Sequence, residues 1–262
     1  MTTTAIPGRR RPGARAPLLL ERHLLVNTRT WVNLAFELFE PLLYLLAIGF
    51  GLGTVIGSVA GPGVPYAAYV APGLLAAAAM NGAFGETTFR VFLRIRHERF
   101  YDSILVTPLS VADVAIGEVA WAMLRAVVAA TGFLAASTVL GLLRSPWALL
   151  AVPAAALIGF AFGSTGLYAT TYLRNWQDFQ YIQLVMLPMF MFATTFYPLS
   201  VYPAGLRPVI AMLPLYQAIE LVRGVALGSF GPGLLVAVAY LAGLGVVTLS
   251  LAVGRLRRQL RP

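Results

Sequence analysis

The sequence contains no lysine and no cysteine, only two histidines, and only ten acidic residues in 262. Each shortage excludes a chemistry. Without lysine the nucleotide-binding loop G-x-x-x-x-G-K-[ST] cannot be built. ATP-driven work would therefore need a separate ATPase subunit. Without cysteine there are no disulfides, thiol nucleophiles or thiolate-held metals. His23 and His97 both fall in charged segments outside the apolar runs. That leaves no Ser–His pair at membrane depth and too few ligands for a zinc site. Charge as a whole is scarce, at 11% of residues against about 25% in an average soluble domain.

What fills the chain instead is apolar: 59% hydrophobic residues and a mean hydropathy of +0.79. This composition predicts an all-α integral membrane protein. The net charge of +9 comes entirely from arginines that flank the apolar runs, so it orients a membrane protein and does not mark a nucleic-acid surface.

A spanning helix needs about 20 mostly apolar residues. Six runs qualify: 41–60, 66–85, 114–143, 147–172, 179–197 and 234–253. With six spans both termini share a side. That side would hold fifteen arginines: Arg9, Arg10, Arg11, Arg15, Arg22 and Arg29; Arg90, Arg94, Arg96 and Arg99; Arg174; and Arg255, Arg257, Arg258 and Arg261. The other side would hold Arg144, Arg207 and Arg223, while Arg125 lies within a span. The asymmetry predicts a multi-pass protein of the bacterial plasma membrane with both termini cytoplasmic. "MTTTAIPGRRRPGARAPLLLERHLL" does not read as a secretory signal, because its apolar stretch is short and runs into Glu21-Arg22-His23. Residues 1–17 read as a disordered cytoplasmic arm near anionic lipid, 18–258 as the transmembrane domain, and 259–262 as a cytoplasmic tail.

The connection between spans five and six is long and apolar, yet Pro198, Pro203, Pro208 and Pro214 break it. A helix over 215–227, closed by Gly228, would place Leu215, Ile219, Val222 and Ala226 on one face. The expectation is a pair of short re-entrant helices in the outer leaflet, packed on protein.

Between spans two and three lies the most charged stretch, "RVFLRIRHERFYDSILVTPLSVADVAIGE", Arg90 to Glu118. Phe89, Leu93, Phe100 and Ile104 fall near one helix face; Arg94, Glu98 and Asp102 fall on the other. The helix should stop at Thr107–Pro108. Ser110 with Asp113 then forms an approximate capping box for the next helix. Periodicity leaves two accounts open: an interfacial anchor with snorkelling arginines, or a docking element for a soluble partner.

Inside the membrane the carboxylates Glu37, Glu40, Glu86 and Glu118 sit toward the cytoplasmic rim. An ion-coupled secondary transporter or channel, the alternative reading, would place them nearer the centre. Arg125 is the deepest charge and shares a face with Glu118, so Glu118, Arg125 and Glu86 form a candidate ion pair or gate. Met186, Met189, Phe190 and Tyr197 give the fifth span an adaptable apolar wall, either packing or lining a substrate path. Gly49 with Gly53, and Ala155, Gly159 and Gly163, have the spacing of close helix contacts. "FGSTG" at 162–166 reads as packing too.

Several pieces together resemble the membrane subunits of ABC type-2 exporters, in the nodulation-factor and daunorubicin-export permease branch. They are "PLLYLLAIGFGLG", "YVAPGLLAAAAMNGAFGETTF", "YDSILVTPLSVADVAIGEVAWA", "TTFYPLSVYPAGLRPVIAMLPLYQAIELVRGVALG" and the basic tail. The most specific are "L-x-T-P-L-S…G-E" and "P-L-Y…E-L-x-R-x-x-x-L-G". The resemblance implies a half-transporter of six helices that pairs with a second copy or a related permease. Two separate ATPase subunits would bind ATP and Mg, and this chain would hold no cofactor. It implies that residues 89–105 are the coupling helix, with Phe92, Arg96, His97, Glu98, Arg99, Phe100 and Tyr101 as ATPase-coupling residues. Residues 18–33 would form an interfacial helix. The cargo in that family ranges from drugs to lipids and (lipo)oligosaccharides, moved outward by a chain that catalyses nothing itself.

Overall fold

The computed structural model describes residues 16–27, 39–57, 64–96, 109–142 and 145–259. Among them the protein is entirely helical, without a strand. An N-terminal helix α1, Ala16–Asn27, precedes α2, Phe39–Ile56. Then come α3, Tyr66–Ile95, α4, Val111–Val139, and α5, Pro146–Thr170. A shorter α6, Phe179–Phe192, leads to α7, Arg207–Ala211, and α8, Pro214–Leu227. The chain ends on α9, Pro232–Gln259.

Five of these, α2, α3, α4, α5 and α9, are long and apolar enough to cross a membrane. The fifth expected crossing, 179–197, differs. Its helix has 14 residues and stops at Phe192, before the left-handed backbone of Thr194, φ +65°. Pro188 is accommodated inside the helix, which runs four residues beyond it.

The bundle is built around α3, where every side chain from Tyr66 to Met80 is buried. Its alanine-rich sequence has no polar face, as expected of a helix enclosed on all sides. Close approach is set by small residues. A Cβ on Gly159 of α5 would stand 2.8 Å from both the Cα of Met123 and the Cβ of Ala126 on α4, and one on Gly163 would stand 3.0 Å from the Cβ of Ala122. The expected Ala155–Gly159–Gly163 stripe is therefore the α4–α5 contact, and Ser164 of "FGSTG" is fully buried beside it.

The second span does not end at Gly85. It continues through a π-helical stretch, Glu86–Arg90, into a last helical piece, Val91–Arg96, one residue past the apolar span. Carbonyls loosened by the wider turn are met by threonines. Thr87 Oγ1 donates to Ala83 O at 3.1 Å, Thr88 Oγ1 donates to Phe84 O at 2.6 Å, and Thr170 Oγ1 of α5 donates to Thr87 O at 2.8 Å. The start of α4 follows the expected capping box. Asp113 N donates to Ser110 Oγ at 3.1 Å and Ser110 N donates to Asp113 Oδ2 at 2.9 Å.

In the connection before α9, α8 covers the expected helix. It closes at Gly228 in the left-handed region, φ +70°, and Leu215, Ile219 and Val222 are fully buried.

Candidate functional site

A cluster of charges forms where α1, α3 and α4 meet. Glu86 sits at the centre with a side chain only 1% exposed. Its carboxylate lies 3.1 Å from Arg90 Nε, 3.3 Å from Arg125 Nε and 3.8 Å from Arg94 Nη2. Arg94 also reaches the equally buried Glu118, donating from Nη1 at 2.6 Å. The imidazole of His23 joins from α1, with Nε2 3.5 Å from Glu118 Oε1 and Nδ1 3.5 Å from Arg94 Nη2. The ring stacks on Trp121 of α4, centroids 5.4 Å apart.

Local structure explains how these side chains meet. Glu86 and Arg90 are one helical turn apart at the start and end of the π-helical stretch. Glu118 and Arg125 are two turns apart on α4, so both face α3. Buried carboxylates persist only when paired, and here guanidinium groups surround them. Such a network is rigid while complete, and removing a buried carboxylate strands the guanidinium groups around it.

The expected trio Glu86, Glu118 and Arg125 is thus brought together, and the partner placed against Arg125 is Glu86, from the neighbouring helix. Arg94, expected on the polar outer face of an amphipathic helix, turns inward to both carboxylates. Arg90, Arg94 and His23 were not singled out by the sequence as members of this site. His23 lies 95 positions from Glu118, and no spacing signal spans that distance.

The cluster opens on a cavity of about 520 Å³ bounded by α2, α3, α4 and α6. Glu40, Asn81, Glu86, Arg125 and Gln183 give it polarity; Tyr44, Phe89 and Phe190 give it aromatic wall. On the other side of α6, toward α5 and α9, is an apolar cavity of about 1070 Å³. Met186 lines both, Phe190 lines the smaller, and Met189 lines the larger. Tyr197 is half-exposed and borders neither. Among α6 side chains only Met189 is buried, so this helix stands between two open volumes.

Of the expected coupling residues, Phe92 is buried inside the chain. Its ring packs edge-on to Trp176 and Phe179, with centroids 5.5 and 5.2 Å away, and Phe89 completes the group. Arg96 ends the helix, with its side chain outside the described part. His97, Glu98, Arg99, Phe100 and Tyr101 lie outside the described residues.

The turn before α6 is ordered by Asp178, which accepts from Arg174 N at 2.6 Å and Asn175 N at 3.1 Å. Those two backbone donors hold its carboxyl below the ordinary aspartate value. The far end of α9 docks on the same region. Arg255 lies 3.7 Å over the Tyr172 ring, and Gln259 Nε2 donates to Thr171 O at 2.7 Å.

Comparison with known proteins agrees with this architecture. The family model of the ABC-2 type transporter matches residues 17–227. Nodulation protein J of Sinorhizobium fredii is 35% identical over 225 residues, 86% of this chain and 85% of its own. Nodulation protein J of Rhizobium meliloti is 34% identical over 242 residues, 90% of this chain and 92% of its own. That of Azorhizobium caulinodans is 28% identical over 209 residues, 78% and 82% of the two chains. A multi-pass helical bundle, long apolar spans and a family match over most of the chain lead to one assignment: this protein belongs to the ABC-2 type transporter family and is a non-catalytic membrane permease subunit.

Proposed function

We propose that the chain is the permease half of a bacterial ATP-driven exporter. It pairs with a second copy or a related permease, and two separate ATPase subunits supply the energy by binding ATP and Mg. The cargo is an amphipathic drug, lipid or (lipo)oligosaccharide, moved outward. The export branch that the sequence resembles supports that direction and cargo range.

One observation carries the coupling mechanism. Helix α3 runs unbroken from the buried centre of the bundle into the charged stretch, and Glu86 and Glu118 tie its far end to α4 and α1. A push on the segment beyond Arg96 would therefore reach Arg125 and the cavity wall through one helix and one ion-pair network. Phe92, Trp176 and Phe179 pack together at that end of the helix. Arg96, His97, Glu98, Arg99, Phe100 and Tyr101 would supply the contact with the ATPase.

The reading has six crossings and both termini in the cytoplasm. Helix α6 rises about 21 Å at about 1.5 Å per residue. The bent residues 193–197 would have to complete the crossing of the about 30 Å hydrocarbon core. Helices α7 and α8 would then be the outer re-entrant pair. The buried face of α8 supports that placement, since backbone at membrane depth must be packed on protein.

The test is reconstitution. Vesicles holding this chain and its partner ATPase should export cargo with ATP and stop on ATP depletion. The purified chain alone should hydrolyse no ATP. Export that persists without nucleotide and collapses with an ionophore would replace this reading with an ion-coupled transporter.

A further inference from the structure

The backbone after α6 leaves the helix inside the bundle. Ala193, Thr194, Thr195 and Phe196 are all buried. Non-helical backbone at this depth must find its hydrogen bonds within the protein. Tyr66 Oη donates to Phe196 O at 3.3 Å, and Thr195 Oγ1 donates to Phe190 O at 3.3 Å. The carbonyl of Thr194 is met by Arg223 of α8, whose Nη2 donates at 2.9 Å.

Arg223 does more than satisfy one carbonyl. Its guanidinium lies 4.1 Å over the Tyr69 ring of α3, and Nη1 donates to Glu220 at 3.0 Å. A single side chain thus joins α3, α8 and the end of α6. The family-like piece "P-L-Y…E-L-x-R-x-x-x-L-G" contains both Glu220 and Arg223, yet its spacing assigned neither a role.

The contact is also incomplete. Thr194 is held at φ +65°, a region that a β-branched residue adopts only under constraint. Among the described residues, Thr194 Oγ1 and Arg223 Nε are buried with no hydrogen-bond partner. Strain and unmet polar atoms at one point mark a contact that a modest force can exchange. The helix it holds has open volume on both sides.

We propose that Arg223 is a positioning residue for transport. It latches the end of α6 to Tyr69 and α8, and its release lets α6 move between the two cavities and open the path. The role in transport rests on the permease reading; the latch itself does not.

The absence of native cysteine makes the test direct, since one introduced thiol is unique. Thr195 is fully buried and close in size to cysteine, so Thr195→Cys reports opening at the latch. The full chain in membranes would be labelled with N-ethylmaleimide. Loss of a charge-assisted hydrogen bond in Arg223→Met should speed labelling about 10- to 100-fold. Arg223→Lys should fall between, since lysine keeps the charge and loses the planar fork. Tyr69→Leu should act in the same direction and serves if Arg223→Met folds poorly. Ser164→Cys, fully buried on α5, is the control and should keep its slow rate. Unchanged Thr195→Cys labelling in folded Arg223→Met and Tyr69→Leu chains overturns the latch. A parallel rise at Ser164→Cys overturns it as well, because it reports global loosening. With the ATPase subunits present, nucleotide should shift labelling in the Arg223 chain and not in Arg223→Met. A working latch with no nucleotide response overturns its role in ATP-driven transport alone.

Discussion

Glu86 shows how far a single side chain can organise this protein. It is buried against Arg90, Arg94 and Arg125, but these three contacts are not equivalent. The Arg90 side chain is 31% exposed, where solvent screens the pair and its worth is at most about 1 kcal/mol. Replacing Glu86 itself would strand the more deeply buried guanidinium groups, a loss of about 3–5 kcal/mol. Thermal unfolding in detergent should therefore show a large drop for Glu86→Ala and a small one for Arg90→Ala. Equal shifts would mean that Glu86 is solvated in the folded protein. Arg125→Leu leaves Arg90 and Arg94 on Glu86. It is expected to keep a normal folded yield by size-exclusion chromatography while changing transport, because both residues line the smaller cavity. Loss of folded protein would make the pair structural only.

At the scale of elements, the bundle depends on how closely α4 and α5 approach. Gly159 has no room for a Cβ, with Met123 backbone 2.8 Å away, whereas Gly243 of α9 has open space. Gly159→Val should force the helices apart and cost about 1–3 kcal/mol or more. Gly243→Val should change the melting temperature little, and similar effects at both sites would refute the packing account. The turn before α6 carries a pH dependence. Because the folded protein lowers the Asp178 carboxyl, the turn gains stability above the ordinary aspartate range and loses it as pH falls through the depressed value. Wild-type protein should be more stable than Asp178→Asn near neutral pH, and the difference should vanish on acidification. A constant difference across that window would show that the carboxylate charge is immaterial.

For the whole molecule, the proposed exporter needs partners that hold the charged stretch. Reversing the charges of Arg96, Glu98 and Arg99 together should weaken co-purification with the ATPase while membrane insertion stays normal. Unchanged co-purification would favour the interfacial-anchor account of that stretch. In the proposed exporter, pairing of two permeases would give the open volumes around α6 a use, since a helix with open volume on both sides in one chain can be repositioned in a complex.

Composition, run length and breakers were enough to give the all-helical membrane class, because burying backbone in lipid leaves a chain this apolar few alternatives. Local chemistry was equally legible where it acts within a few residues. The Ser110–Asp113 capping box and the Gly228 helix end both depend on neighbours in sequence. The extra length of α3 was not legible, because Glu86, Arg90 and Arg94 look like the end of a span until their partners on α4 and α1 are known. Nor was the shortness of α6, whose terminus is fixed by Arg223 and Tyr66 from distant positions. Sequence determined what each segment could be in a membrane. Tertiary structure decided which charges met, because a buried ion pair or strained turn exists only when remote segments arrive to satisfy it.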